Sequence, residues 1–189
     1  MLTAFSESLD RALIMASRAH QNQRRKGADV PYVQHPVHVA ILLLKHGFEE
    51  PVVIAGLLHD VVEDTDVTPG EIREQFGDRV ASLVDAVSER KSDDRGSRPW
   101  RERKDEQLAK LDKCPLEVVA LKAADLLHNV RTTLRDVKEH GDVTWTRFNA
   151  PKSEQLWLQG AILQRVRARL GDHALARELE EAIAELRDS

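Results

Sequence analysis

Cysteine is almost missing from this chain. Cys114 is the only one in 189 residues, which excludes an internal disulfide and a cysteine metal cluster and fits a reducing compartment. Glycine (9) and proline (7) are sparse, so disorder and turn-rich β architectures are both disfavoured. Aromatic residues make up only 4% of the chain, and its three tryptophans (Trp100, Trp145, Trp157) read as packing anchors rather than base-stacking platforms. There is no long apolar run. The longest aliphatic stretches, Val39–Leu44 and Val52–Leu58, fall far short of the roughly 20 residues that span a bilayer. Nor is there an excess of positive charge: 28 basic against 32 acidic residues leave a net charge of −4, which argues against a general nucleic-acid binder. The opening MLTAFSESLDR has an acid at Glu7 and no apolar signal core. A soluble, cytoplasmic protein with no membrane partner is expected.

What is present is helical spacing. With 41% hydrophobic residues, one ordinary core is expected, so residues 1–189 read as a single domain. Leu9, Leu13, Ala16 and His20 share one helical face, and Gly27 breaks the chain after the basic run Arg24-Arg25-Lys26. Pro36 suits the first turn of a helix running to His46 and stopped by Gly47, and Pro51 opens another. Thr68-Pro69-Gly70-Glu71 spells a capping box, followed by a short helix to Gly77 and a further one capped by Asp78. The polar stretch Lys91–Pro99 reads as a mobile loop. Trp100–Lys113 and the apolar segment after Pro115 continue the helical pattern, a loop is expected over about Gly141–Pro151, and two helices close the chain around Gly171. No run requires a strand. The fold class is all-α, about nine to ten helices.

The chemistry concentrates at Ala55–Asp64, where an apolar helix ends in His59, Asp60, Glu63 and Asp64. The pairs His59/Glu63 and Asp60/Asp64 are each four apart and would stack on neighbouring turns of one helix. With 8 His and 16 Asp, a His-Asp dipeptide arises by chance about 0.7 times; requiring Glu and Asp at the next offsets lowers that to about 0.005. Buried carboxylates need partners, and a cation is the usual one. His35 precedes Pro36, a position that also suits an N-cap or a surface histidine. Asp125 lies in an otherwise apolar helix, where Lys122 is one candidate partner. Two imidazoles and two carboxylates, His35, His59, Asp60 and Asp125, compose a nitrogen/oxygen set suited to one divalent metal with open positions for water.

The order His … His-Asp … Asp is similar to that of the HD-domain metal-dependent phosphohydrolases. More closely, Tyr32-x-x-His35-Pro36, Leu57–Thr65 (LLHDVVEDT), Phe76-Gly77 and Lys122–Asn129 (KAADLLHN) together resemble the hydrolase domain of RelA/SpoT homologues, over about residues 5–135. The length resembles the free-standing small alarmone hydrolases, and Arg147–Lys152 through Leu156-Trp157 resembles short bacterial members. That resemblance implies an HD-domain helical bundle with C-terminal helices over 152–188. It implies removal of the 3′-pyrophosphate from guanosine tetra- and pentaphosphate, (p)ppGpp, releasing GDP or GTP and intact pyrophosphate.

It also implies one Mn²⁺ held by His35, His59, Asp60 and Asp125. Sites of this type bind Zn²⁺, Co²⁺ or Ni²⁺ more tightly in general, so Mn²⁺ follows from the resemblance alone. Glu63 and Asp64 would be the acidic pair that orients and deprotonates the attacking water. Arg25 and Lys26 would face the substrate, with Arg24 able to take one of those places. Asn129 would hold the nucleotide near its sugar, and Lys122 would reach a phosphate or neutralise Asp125. The chain departs from some members in having Leu156 and Leu158 where they carry a nucleotide-contacting tyrosine. Two rival readings stay open: another HD-type nucleotide phosphohydrolase, for example an NADPH phosphatase, and a nucleotide-binding sensor without turnover. The intact Glu63-Asp64 pair speaks for turnover. A helical scaffold would hold no metal, and a homo-oligomer is compatible with the sequence.

Overall fold

A computed structural model describes residues 5–89, 92–93 and 96–189, with backbone alone at 92, 93 and 97. The chain divides into two compact units, residues 1–93 and 94–189.

The first unit contains α1 (Glu7–Ala19), α2 (Gln34–Lys45), α3 (Glu50–Leu58), α4 (Val61–Asp64) and α5 (Pro69–Val87). Its centre is α3. Every residue from Val52 to Leu58 is buried, so this helix has no polar face and packs against α1, α2 and α5 at once. Gly56 permits the close approach of α2: a Cβ there would lie 2.7 Å from Leu43 Cδ1 and 3.5 Å from the Ala40 backbone. Gly56 meeting Ala40, and His59 meeting His35, define an antiparallel register that sets the start of α2 beside the end of α3. The capping box forms at the start of α5, with the Glu71 N–H donating to Thr68 Oγ1 (3.3 Å) and the Thr68 N–H to Glu71 Oε2 (2.8 Å). Those Thr68 contacts hold the Glu71 carboxyl below its usual range. Within α5 the backbone turns out of helical geometry at Gly77 (φ 83°, ψ 172°), where two helices are expected from the sequence. Only glycine takes that conformation freely.

One local expectation differs. The helix from Pro51 does not run through to Asp64: α3 stops at Leu58, His59 and Asp60 form a turn, and the four-residue α4 follows. The Gly56 carbonyl at the end of α3 accepts the His59 Nδ1–H (2.8 Å), so the imidazole competes for a group that a continuing helix would use. His59 therefore turns toward His35 and Asp60 rather than lying along a helix face with Glu63.

The second unit contains α6 (Trp100–Leu111), α7 (Leu116–His140), a 3-10 helix (Gly141–Arg147), α8 (Lys152–Leu170) and α9 (Ala174–Arg187). The 25-residue α7 is its spine and packs against α8, α9 and the 3-10 helix, while α6 packs on α8. The loop expected from Gly141 begins as that 3-10 helix. Buried Asp136 anchors it, accepting Arg147 Nη2 at 2.6 Å, while the Thr144 hydroxyl donates to the Asp136 carbonyl. Trp145 is buried, and Trp100 and Trp157 pack edge to face at 6.4 Å. Strands among the described residues are limited to Ser92–Asp93 and Gly96–Ser97, with one isolated bridge between Arg24 and Pro31, so the all-α class holds. Residues 90, 91, 94 and 95 fall outside the described residues; in the rest of the stretch expected as the Lys91–Pro99 loop, Ser92–Asp93 pairs with Gly96–Ser97 as a short two-stranded ladder. Among the described residues, no helix is long and apolar enough to cross a membrane.

Candidate metal centre

The segment before α2 folds back on itself. The Tyr32 N–H donates to the Gln23 carbonyl (2.9 Å), the Arg25 N–H donates to the Val30 carbonyl (3.0 Å), and Arg24 bridges Pro31 in antiparallel fashion. Around this bridge Gln23 and Arg25 are half-buried while Arg24 is exposed, the alternation expected of an extended segment. Arg25 lies over the Tyr32 ring, 5.7 Å from its centroid. Arg24 lies 3.7 Å from the exposed Asp29. Lys26 is exposed in the turn that follows. The Tyr32 carbonyl then accepts the His35 N–H (2.9 Å), which starts α2 with His35 pointing inward.

Three of the expected ligands converge in this unit. The candidate ligand atoms of His35 and His59 lie within 4.8 Å of each other, and their rings meet edge to face at 5.1 Å. Asp60 Oδ2 lies 3.1 Å from His59 Nε2 and 3.6 Å from His35 Nε2. The two histidine side chains are 5% exposed or less, and that of Asp60 is 15% exposed. The same Asp60 oxygen accepts the Tyr32 hydroxyl at 2.7 Å. Burial first, and then Asp60, raise the Tyr32 phenol far above its ordinary range, so it stays a protonated donor.

The donor set can be tested for a cation. A carbonyl only accepts, so the contact of His59 Nδ1 with the Gly56 carbonyl puts the hydrogen on Nδ1. Neutral His59 then presents the Nε2 lone pair to a carboxylate oxygen 3.1 Å away. Two electron-rich atoms at that distance repel unless a cation, a proton or a metal ion, lies with them. Imidazole oriented through its other nitrogen and carboxylate held by a hydroxyl is the usual outer support of a metal site. The residues fit a divalent ion.

The remaining candidates occupy two places. Glu63 and Asp64 form the end of α4, with Glu63 Oε2 accepting the Glu89 N–H (3.0 Å) and the Asp64 carbonyl accepting Gln23 Nε2 (2.7 Å). Asp125, Lys122 and Asn129 belong to the second unit, on one face of α7. Lys122 Nζ donates to Asp125 Oδ2 (2.8 Å) and Asn129 Nδ2 to Oδ1 (2.6 Å), and the Asp125 side chain is 13% exposed. Reading by residue type alone assigns no role to Tyr32, Gln23 or His20. Tyr32 was within the motif around His35, and its position as the chain's only tyrosine is the one available signal. His20 shares an apolar helix face, where a buried imidazole is indistinguishable from core.

The HD domain family matches residues 12–152, three quarters of the chain, and such a domain implies a divalent metal. The chain belongs to the HD domain family. A guanosine-3′,5′-bis(diphosphate) 3′-pyrophosphohydrolase from Aquifex aeolicus is 39% identical over 130 residues, 67% of this chain and 18% of that one. The bifunctional (p)ppGpp synthase/hydrolase SpoT of Escherichia coli K12 is 33% identical over 176 residues, 92% of this chain and 23% of that one. The chain thus spans about a fifth of the length of these curated relatives. A solved structure of a metazoan ortholog of SpoT, described as hydrolysing ppGpp and playing a role in starvation responses, superposes with a TM-score of 0.79 at 29% identity. It covers 97% of this chain and 98% of its own.

Proposed function

We propose that this chain is a metal-dependent phosphohydrolase that cleaves (p)ppGpp to GDP or GTP plus pyrophosphate. The observation that carries this reading is the His35–His59–Asp60 cluster in a chain matched end to end by a SpoT-type ppGpp hydrolase. His35, His59 and Asp60, with Asp125 as fourth ligand, would hold one ion, for which we propose Mn²⁺. Such an ion would lower the pKa of water at the site and offset charge on the reacting phosphate. We propose further that residues 1–189 act as one hydrolase domain, a reading supported over residues 12–152 by a family match that includes parts of both units.

The chain's own residues then divide the work. Glu63 and Asp64 orient a water and take its proton as the oxygen attacks the phosphorus next to the 3′-oxygen. The P–O3′ bond breaks with its electron pair leaving on the ribose oxygen, which is reprotonated, and pyrophosphate departs intact. Arg25 and Lys26 supply positive charge to the phosphates of a polyanion approaching a protein of net charge −4; Arg24, beside Asp29, contributes least of the three, and Arg98, Arg101 and Lys104 are further candidates. Asn129 binds near the sugar, and Lys122 tempers Asp125 or reaches a phosphate. The test is turnover of ppGpp with and without Mn²⁺, with product identification. GDP and pyrophosphate in equal amounts are expected, with GDP and GTP themselves inert. Phosphate release from NADPH with no ppGpp turnover would give the site to a different nucleotide, and tight ppGpp binding without product would make the protein a sensor.

A further inference from the structure

We infer that Gln23 is a positioning residue that holds Asp64, and with it the acidic end of α4, at a set distance from the basic turn; the inference rests on the hydrolase reading above. The motivation is the unusually complete use of one side chain. Gln23 Nε2 donates to the Asp64 carbonyl at 2.7 Å, across 41 residues of sequence. Its Oε1 accepts from His20 Nδ1 at 2.8 Å. Its backbone carbonyl accepts the Tyr32 N–H, and its own N–H donates to the His20 carbonyl, both at 2.9 Å. These partners settle the orientation. A carbonyl only accepts, so the Gln23 nitrogen faces Asp64, its oxygen faces His20, and His20 carries its hydrogen on Nδ1.

The need for such a tie follows from the shape of α4. Four residues are too few for a helix to hold itself, and its last carbonyls have no donors within the helix. Thr65 supplies one, donating its N–H and hydroxyl to the Val61 carbonyl. Gln23 supplies another from a distant segment. His20 braces it from below: it is 1% exposed, its ring lies 4.8 Å from that of Tyr32, and its Nε2 has no hydrogen-bond partner among the described residues. The extended segment that carries Gln23 also carries Arg25 on the same side. One short stretch therefore spaces a phosphate-facing cation from a water-activating acid, Gln23 acting through Asp64.

The test uses the full chain and two variants. Gln23→Ala removes both side-chain contacts; Gln23→Glu keeps the size and the acceptor for His20 but loses the donor to Asp64. Both should lower kcat for ppGpp by about 10- to 100-fold, the cost of an ångström-scale misplacement, while KM and Mn²⁺ affinity by calorimetry move less than about threefold. On an Asp64→Asn background the same substitutions should cost clearly less than in wild type, because Gln23 acts chiefly through that residue. Hydrogen exchange across residues 60–65 should quicken in both variants, with the thermal midpoint retained in Gln23→Glu, which keeps the acceptor for His20. Multiplying losses in the double variant, or unchanged exchange at 60–65, overturns the inference. Should Gln23→Ala fail to fold, Gln23→Glu decides alone. If the wild type does not turn over ppGpp, the hydrolase reading fails, and the exchange experiment still decides whether Gln23 ties α4.

Discussion

Replacing Tyr32 by Phe deletes one oxygen and tests the centre without touching a ligand. The Tyr32 hydroxyl donates to Asp60 Oδ2 at 2.7 Å, and that same oxygen faces both histidines. Hydrogen bonds to charged groups contribute about 1.5–3 kcal/mol. The Asp60 side chain is 15% exposed, so water replaces part of the loss and the lower half of that range applies. About 1.5–2 kcal/mol corresponds to roughly 10- to 30-fold in Mn²⁺ affinity, within the range seen when the outer partner of a metal ligand is removed. Calorimetric titration of metal-free wild type and Tyr32→Phe at one pH and salt concentration measures it. A second arm uses the raised phenol. Because the folded state keeps the Tyr32 proton above the ordinary value of about 10, where the unfolded chain releases it, its stabilisation is whole below that pH and shrinks above it. Wild type should lose stability relative to Tyr32→Phe by about 1.4 kcal/mol per pH unit above 10. Wild-type Mn²⁺ affinity in a well-folded Tyr32→Phe, with Asp60→Asn also binding normally, would refute the assignment of Asp60 as a ligand supported by Tyr32.

Glu63→Gln and Asp64→Asn should keep the metal and lose about 10²–10⁴-fold in kcat, while His59→Ala loses metal and activity together; elemental analysis beside steady-state kinetics separates the cases. The Glu63 amide retains an oxygen for the Glu89 N–H, so that variant should fold normally. Arg25→Ala should raise KM for ppGpp by about 1–3 kcal/mol of lost binding, whereas Arg24→Ala, whose guanidinium lies beside Asp29, should change it little; equal effects would show that the alternation of the segment does not carry into substrate binding. Gly56→Val should destabilise the fold by about 1–3 kcal/mol in thermal or urea unfolding, because branched carbons would press on Leu43 and the Ala40 backbone and part α2 from α3. An unchanged midpoint would show that the two helices do not need their close approach.

Much was legible along the chain because it depends on neighbours. Helical periodicity, the Thr68–Glu71 box and the proline-led starts of α3, α5 and α7 are local chemistry, and these starts appear where the pattern places them. The break of α5 at Gly77 was readable for the same reason: a residue without Cβ permits a backbone turn others resist. The His-Asp … Glu-Asp spacing marked the chemical segment but misjudged its conformation. Four-residue spacing implies one helix only if nothing competes for its carbonyls, and the His59 imidazole does.

By itself the sequence determined the all-α class, the HD-type order of histidines and aspartates, and the exclusion of disulfides and long apolar spans. These follow from composition and short-range periodicity, which need no knowledge of distant partners. Only the tertiary structure decided which oxygen of Asp60 faces the histidines, that Tyr32 donates to it, that Arg25 rather than Arg24 lies over the Tyr32 ring, and that Gln23 reaches Asp64. Hydrogen bonds and cation–ring contacts act over a few ångströms and have direction. Partners 41 residues apart, as Gln23 and Asp64 are, become neighbours only once α1, α2 and α3 have packed.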